Sequence, residues 1–391
     1  MSLPMPRNRP PLAPLLLATM ASQALLVALS PTIVAIADDL GISVGAVGQA
    51  RSIAAVVAIA ASIGIAGRMD TMGVPRLLSI GAGLAIVASA AIALAPTLAA
   101  FLLAHVLVGV AFACLLTAGF AGVAAFPPER KAWAIGYVVG ANSLAWIVVN
   151  PAMGATTDAL SWRAAEAIPA TIAVAALVAA RAAATAPTAS GPWQLRTLLR
   201  ERSARRWIGA ETIAYGAWTA LLTFIGAFFI QRLGVSEAAV GWLLASGAAA
   251  HFVASTRSGT LSDLLPRRRL VSAAALLMAV LLFVELRATG AALAVAIFCM
   301  AGLTAGIRMP VSSRLGLEQL PHHPGAMMAA RTAATQLGYL LGAVIGGVVV
   351  AGAGYETLGI VLAIGMAASA LLVLRVDDPL EVSVVAARGA S

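Results

Sequence analysis

Three ionisable side chains stand inside long apolar stretches of this chain: Glu211, Arg308 and Arg331. A charge at membrane depth costs about 2.5–3.5 kcal/mol on insertion scales, so each one calls for a partner or a task. Glu211 can pair with either arginine. Protonating its carboxylate would loosen that pair, which is chemistry suited to proton coupling. A static ion pair, or arginines reaching toward lipid headgroups, is the plainer alternative. His105, also within an apolar run, belongs to the residue type that titrates near neutral pH and offers a second proton site; the alternative is a neutral ring bonded across helices. Arg51 has Asp38, Asp39 or the headgroups to choose from. Gln23, Asn142, Asn150, Tyr215, Trp218 and Gln336 are polar but uncharged, and can either line a solute site or bond helix to helix. So few charges suit an amphipathic or neutral solute better than a phosphorylated one.

Composition names the solvent these residues live in. Of 391 residues, 61% are hydrophobic and 10% charged, with mean hydropathy +0.96. Soluble domains carry about 25% charged residues. A chain this apolar must meet lipid, and at about 20 residues per span it has room for about a dozen crossings. The net charge of +9 is explained by arginines gathered in alternate loops, so no nucleic-acid partner is expected. Cys114 and Cys299 both lie in apolar runs and read as packing residues. No Gly-x-x-x-x-Gly-Lys-Ser/Thr loop, metal-ligand cluster, catalytic triad or haem site is present, so neither an enzyme nor a cofactor is expected. Gly338, Gly342, Gly346 and Gly347 recur as in close helix packing, not as in a phosphate loop.

The apolar runs fall at 12–37, 44–66, 74–95, 97–122, 131–156 and 163–183, then at 206–231, 238–258, 269–289, 291–314, 325–351 and 355–375. Twelve helices in two bundles follow, residues 1–184 and 206–391, joined by a basic linker at 185–205 that holds Arg196, Arg200, Arg202 and Arg205. Lysine and arginine concentrate on the side of the termini and linker, which are therefore expected in the cytoplasm of a cell with the chain in its inner membrane. The first run, behind Arg7 and Arg9, resembles a signal peptide, yet it has a counterpart in the second half and is kept as a helix. The two halves repeat. Leu40-Gly41-Ile42-Ser43 recurs as Leu233-Gly234-Val235-Ser236, an interval of 193 residues (from 40 to 233). Asp70 and Asp263 keep that interval, as do Trp162 and Tyr355. Even-numbered repeats run parallel, related by an axis along the membrane normal.

The sharpest motif is Gly259-Thr260-Leu261-Ser262-Asp263-Leu264-Leu265-Pro266-Arg267-Arg268-Arg269. A glycine lets a neighbouring helix approach, an aspartate sits at the membrane face, and arginines hold the loop on the basic side. It resembles the cytoplasmic loop motif of the major facilitator superfamily, Gly-x-Leu-Ser/Ala-Asp-Arg-x-Gly-Arg-Arg. The first-half copy keeps Asp70 and Gly73 and has Arg76 in place of the basic pair. Phe126-Pro127-Pro128-Glu129-Arg130-Lys131-Ala132 is similar to the family's loop between spans 4 and 5, and Pro321-His322-His323-Pro324-Gly325 echoes it. Asn150-Pro151-Ala152-Met153-Gly154 stands where efflux branches carry Gly-Pro-x-x-Gly, and His105 where many drug/proton antiporters have arginine.

The resemblance implies a monomeric all-α carrier that moves a small molecule by alternating access, with spans 7 and 10 lining a central cavity and protons and the lipid bilayer as its other partners. The expected activity is proton-coupled efflux of an amphipathic, drug-like compound. Export of sugars, nucleosides or amino acids is the alternative within that class. A sensor or scaffold that no longer transports is the alternative outside it.

Overall fold

The computed structural model describes residues 10–66, 69–184, 200–320 and 324–378. Much of the expected 185–205 linker, His322 and His323, and the side chains of Asp70 and Asp263 lie outside the described residues.

Among the described residues every regular element is helical. The first half holds α1 (Ala13–Val27), α2 (Leu29–Leu40), α3 (Val44–Ala66), α4 (Met69–Ala93), α5 (Leu98–Ala121), α6 (Pro128–Ala159), α7 (Trp162–Ala165) and α8 (Ala167–Ala180). The second holds α9 (Arg202–Leu233), α10 (Glu237–Leu264), α11 (Arg267–Glu285), α12 (Ala291–Leu317) and α13 (Pro324–Val373). Two pairs are single rods. Pro31 removes the N–H that would reach Val27, so α1 and α2 part at Ala28 while the chain there stays helical. The expected sixth span parts at Glu166 into α7 and α8 in the same way, because Pro169 lacks the N–H that would reach Ala165; Glu166 itself is buried.

Among the described residues ten helices are long and apolar enough to cross a membrane. Two further considerations bring that number to the twelve expected. The triple arginine at the start of α11 keeps it outside a purely apolar count. At 50 residues, α13 would run about 75 Å if straight, more than twice the hydrocarbon thickness. It breaks at Gly354, whose φ of 77° ends one span and begins the next. Leu103, Val178, Val348 and Ile364 stand exposed on the outside of the assembly, as lipid-facing residues should.

The repeated tetrapeptide is a turn. Gly41 and Gly234 close their helices in the left-handed region at φ 65° and 67°, where a Cβ would strain the backbone. Ser43 and Ser236 then cap the next helix, accepting from the N–H of Ala46 (3.2 Å) and Ala239 (3.4 Å).

The 193-residue interval recurs in side-chain contacts. Thr19 donates to the Leu15 carbonyl at 2.9 Å, and Thr212 to that of Ile208 at 3.0 Å. Arg163 pairs with Asp39 at 2.6 Å; at the corresponding positions Glu356 pairs with Arg232 at 3.2 Å. The pair keeps its place and reverses its charges. Arg51 therefore does not find Asp39: it turns inward and donates to the Leu26 carbonyl at 2.6 Å.

Within the first half α4 packs on α5, and α5 on α3; within the second α10 packs on α12, and α9 on α13. The halves meet where α6 lies on α10, α3 on α13, and α2 on α9. Two seams are related by the repeat. A Cβ on Gly154 would overlap the Glu237 carbonyl oxygen, and one on Gly347 would stand 2.8 Å from that of Gly45. Both seams lie toward the end of the molecule that carries the Asp39–Arg163 and Arg232–Glu356 pairs, here the far end, opposite the starts of α1 and α9. Backbone meets backbone there, which requires glycine.

Candidate functional site

Glu211 is the tenth residue of α9, on the face turned toward α12 and α13. Its Oε1 accepts from the Arg308 guanidinium at 2.8 Å and from the Ser312 hydroxyl at 2.9 Å. Arg308 also reaches the Ser369 hydroxyl at 3.3 Å, and Ser369 donates to the Ala210 carbonyl at 2.8 Å. Trp207 donates its indole N–H to the Ser312 carbonyl at 2.9 Å. Glu211 and Arg308 are 0% and 1% exposed, so the pair is sealed inside the second bundle, tying α9, α12 and α13 together. Removing one partner of such a pair strands a buried charge, at about 3–5 kcal/mol. Glu211 Oε2 and Arg308 Nε have no protein partner.

Arg331 takes the other course. It donates to the Tyr215 hydroxyl at 2.6 Å and lies 5.7 Å from the centre of that ring. Tyr215 and Tyr339 pack edge to face with ring centres 6.3 Å apart. Tyr339 and Gln336, both on α13, then meet the first bundle, where Leu26, Arg51, Ala54, Ala55, Ala58 and Phe112 complete a cavity of about 10 Å³. That is room for about one water. Arg51, Tyr339, Tyr215 and Arg331 thus stand in a row from one bundle to the other, joined by the shared cavity, the ring contact and the Arg331–Tyr215 bond.

The remaining candidates do not join this centre. His105 bonds the Phe101 carbonyl at 2.8 Å through Nδ1, and its ring packs on Phe101 at 4.6 Å; the bond runs along its own helix and not across helices. Gln23 accepts from the Trp146 indole at 3.4 Å, and Asn150 donates to the Trp146 carbonyl at 2.7 Å. These three form a separate polar group between α1 and α6. The side-chain amide oxygens Oδ1 of Asn142 and Asn150 have no protein partner. Trp218 is buried in the hydrophobic core.

At the terminal end Gly73 adopts φ 69°, so regular helix resumes only after it; Arg76 is exposed and Gly259 lies within α10. Arg267 pairs with Glu318. The Arg268 N–H donates to Asp378 at 3.0 Å, fastening the start of α11 to the segment after α13. No group of three metal-ligating side chains occurs among the described residues.

Several participants escape a reading by residue type. Ser312 and Ser369 look like ordinary small polar residues. Gln49 bridges the bundles by donating to the Ala343 carbonyl at 3.3 Å. Trp146 had a local signal, standing four residues before Asn150 on the same helix face, and Tyr339 stands 193 residues beyond Trp146.

Two solved structures share this fold. One is a D-xylose–proton symporter, with TM-score 0.74 and 16% identity over 93% of this chain and 97% of the other. The second is a peptide transporter, POT, a mutant in complex with sulfate, with TM-score 0.74 and 12% identity over 96% and 97%. No curated protein matches the chain. The profile described as Major Facilitator Superfamily matches residues 15–208 and, a second time, 207–390. Two matches of one profile, one to each half of the repeat, show that the chain belongs to the Major Facilitator Superfamily and is a multi-pass membrane protein of that family of secondary carriers.

Proposed function

We propose that this chain is a proton-coupled exporter of a small amphipathic solute, set in the inner membrane with the termini in the cytoplasm and the far end outside. The bundles are residues 1–184 and 206–391, joined by the basic linker 185–205. One observation carries this reading: glycine seams close the two bundles at the far end, over a polar centre to which both bundles contribute. Parting the seams while the terminal end closes would present that centre to the other side, which is alternating access. The apolar wall of Leu26, Ala54, Ala55, Ala58 and Phe112 suits an amphipathic cargo.

Coupling rests on Glu211. While charged, it holds Arg308 and locks α9 to α12; a proton on it leaves Arg308 buried and unpaired, a state relieved only if the helices separate. Purified protein in proteoliposomes, given a pH gradient and a fluorescent amphipathic dye, tests this. Gradient-driven dye movement that Glu211→Gln uncouples supports the reading. Full proton-driven transport by Glu211→Gln removes the coupling role, and no movement of any solute in a panel of drugs, sugars, nucleosides and amino acids removes the carrier reading.

A further inference from the structure

Resting on the carrier reading, we propose that the cargo bears an anionic headgroup, a carboxylate or sulfonate, gripped by Arg51 from one bundle and Arg331 from the other. Among the described residues no carboxylate pairs with either arginine. Each spends its guanidinium on a neutral acceptor, Arg51 on the Leu26 carbonyl and Arg331 on the Tyr215 hydroxyl, and the buried Nε of each has no partner. Both lie within electrostatic reach of Tyr339. Glu211 is the acid near Arg331, and its Oε1 is already committed to Arg308 and Ser312. The centre therefore carries an unbalanced positive charge from both of its walls.

The scaffold does not demand these cations. At the positions related by 193 residues stand Leu244, for Arg51, and Val138, for Arg331, and both are buried in the core. An ionised group kept in a membrane interior where its counterpart is apolar points to a ligand that compensates it. Arginine offers a planar fork of donors matched to an oxyanion, and the neighbouring apolar wall accepts the rest of an amphipathic molecule. An anion bridging two bundles would also draw them together, so binding favours the closed centre.

The experiment uses full-length protein in detergent and four probes built on one ring system: naphthoate, naphthalenesulfonate, naphthalenemethanol and naphthylmethylammonium. Thermal unfolding against probe concentration reports binding to the folded state. The expected result is a rise in Tm with the two anions alone. Arg51→Gln and Arg331→Gln should each weaken that binding at least tenfold, while Arg51→Lys and Arg331→Lys retain most of it. Equal or greater stabilisation by the alcohol or the amine, or none by either anion, overturns the inference on wild-type protein alone, whether or not the variants fold. Movement of the same probes in proteoliposomes separates the two proposals. An anion that binds without being moved leaves the site and removes the carrier; a cation that is moved, with binding unchanged in the Gln variants, leaves the carrier and removes the site.

Discussion

At three positions of the second bundle stand Glu211, Arg308 and Ser369; at the equivalent positions of the first stand Ala18, Leu115 and Ala176. All six are 2% exposed or less, so one scaffold accepts either an ion-pair network or plain apolar packing at the same place. Apolar packing of similar volume is commonly as stable as a buried pair or more so. The first bundle shows that the fold itself needs no charge there. Its presence in the second is a departure from symmetry, and departures of this kind are where function is to be sought. The far-end ion pairs teach the complementary lesson. Asp39–Arg163 and Arg232–Glu356 occupy equivalent places with signs exchanged, so that position needs opposite charges but not a particular polarity.

The largest expected effect breaks the first contrast. Glu211→Ala or Arg308→Leu alone should destabilise the protein by about 3–5 kcal/mol, because each strands a buried partner. The triple variant Glu211→Ala, Arg308→Leu, Ser369→Ala copies the first bundle and should recover most of that loss in detergent unfolding. Proton-driven transport should stay lost; a stable triple variant that still couples to protons would make the network purely structural.

Gly154→Leu drives a side chain into the Glu237 carbonyl, and overpacking of this kind costs about 1–3 kcal/mol. The far end should then open, and a cysteine in place of Gln49 should react faster with a membrane-impermeant maleimide added outside; Gly347→Leu should act alike across the related seam. Gly41→Ala should cost about 1–2 kcal/mol, for its left-handed conformation, and Gly234→Ala a similar amount. Last, Asp39→Arg should cost about 0.2–1 kcal/mol, the pair being partly exposed; Arg163→Asp should cost more, since Arg163 also donates to the Ala93 and Ala95 carbonyls, and the double exchange should recover the ion-pair part alone. A double exchange no better than Arg163→Asp alone would show that polarity matters.

The legible part of the fold was whatever local chemistry decides. Leu40-Gly41-Ile42-Ser43 and its repeat could be read because a left-handed glycine and a serine cap act within a few residues of themselves. The limits of the spans followed from apolar length, and the break at Gly354 falls between the runs read at 325–351 and 355–375; inside two spans Pro31 and Pro169 each remove one bond from the helical ladder. In the centre, Glu211 declared its need for a cation, since lipid cannot solvate it, but two arginines stood equally eligible. For Arg51 the sequence leaves Asp38, Asp39 and the headgroups open; the structure gives Asp39 to Arg163, 124 residues away, and turns Arg51 to the Leu26 carbonyl.

By itself, then, the sequence determined the solvent, the helical class, the duplication and the presence of uncompensated charges in lipid, because each follows from composition or from spacing along one chain. Only the tertiary structure decided which arginine Glu211 holds, that Tyr215 and Tyr339 stand between Arg331 and Arg51, and that Gly154 and Gly347 seal equivalent seams. Those are contacts between helices distant in sequence. They are set by which faces pack, and no local rule of helix formation contains that information.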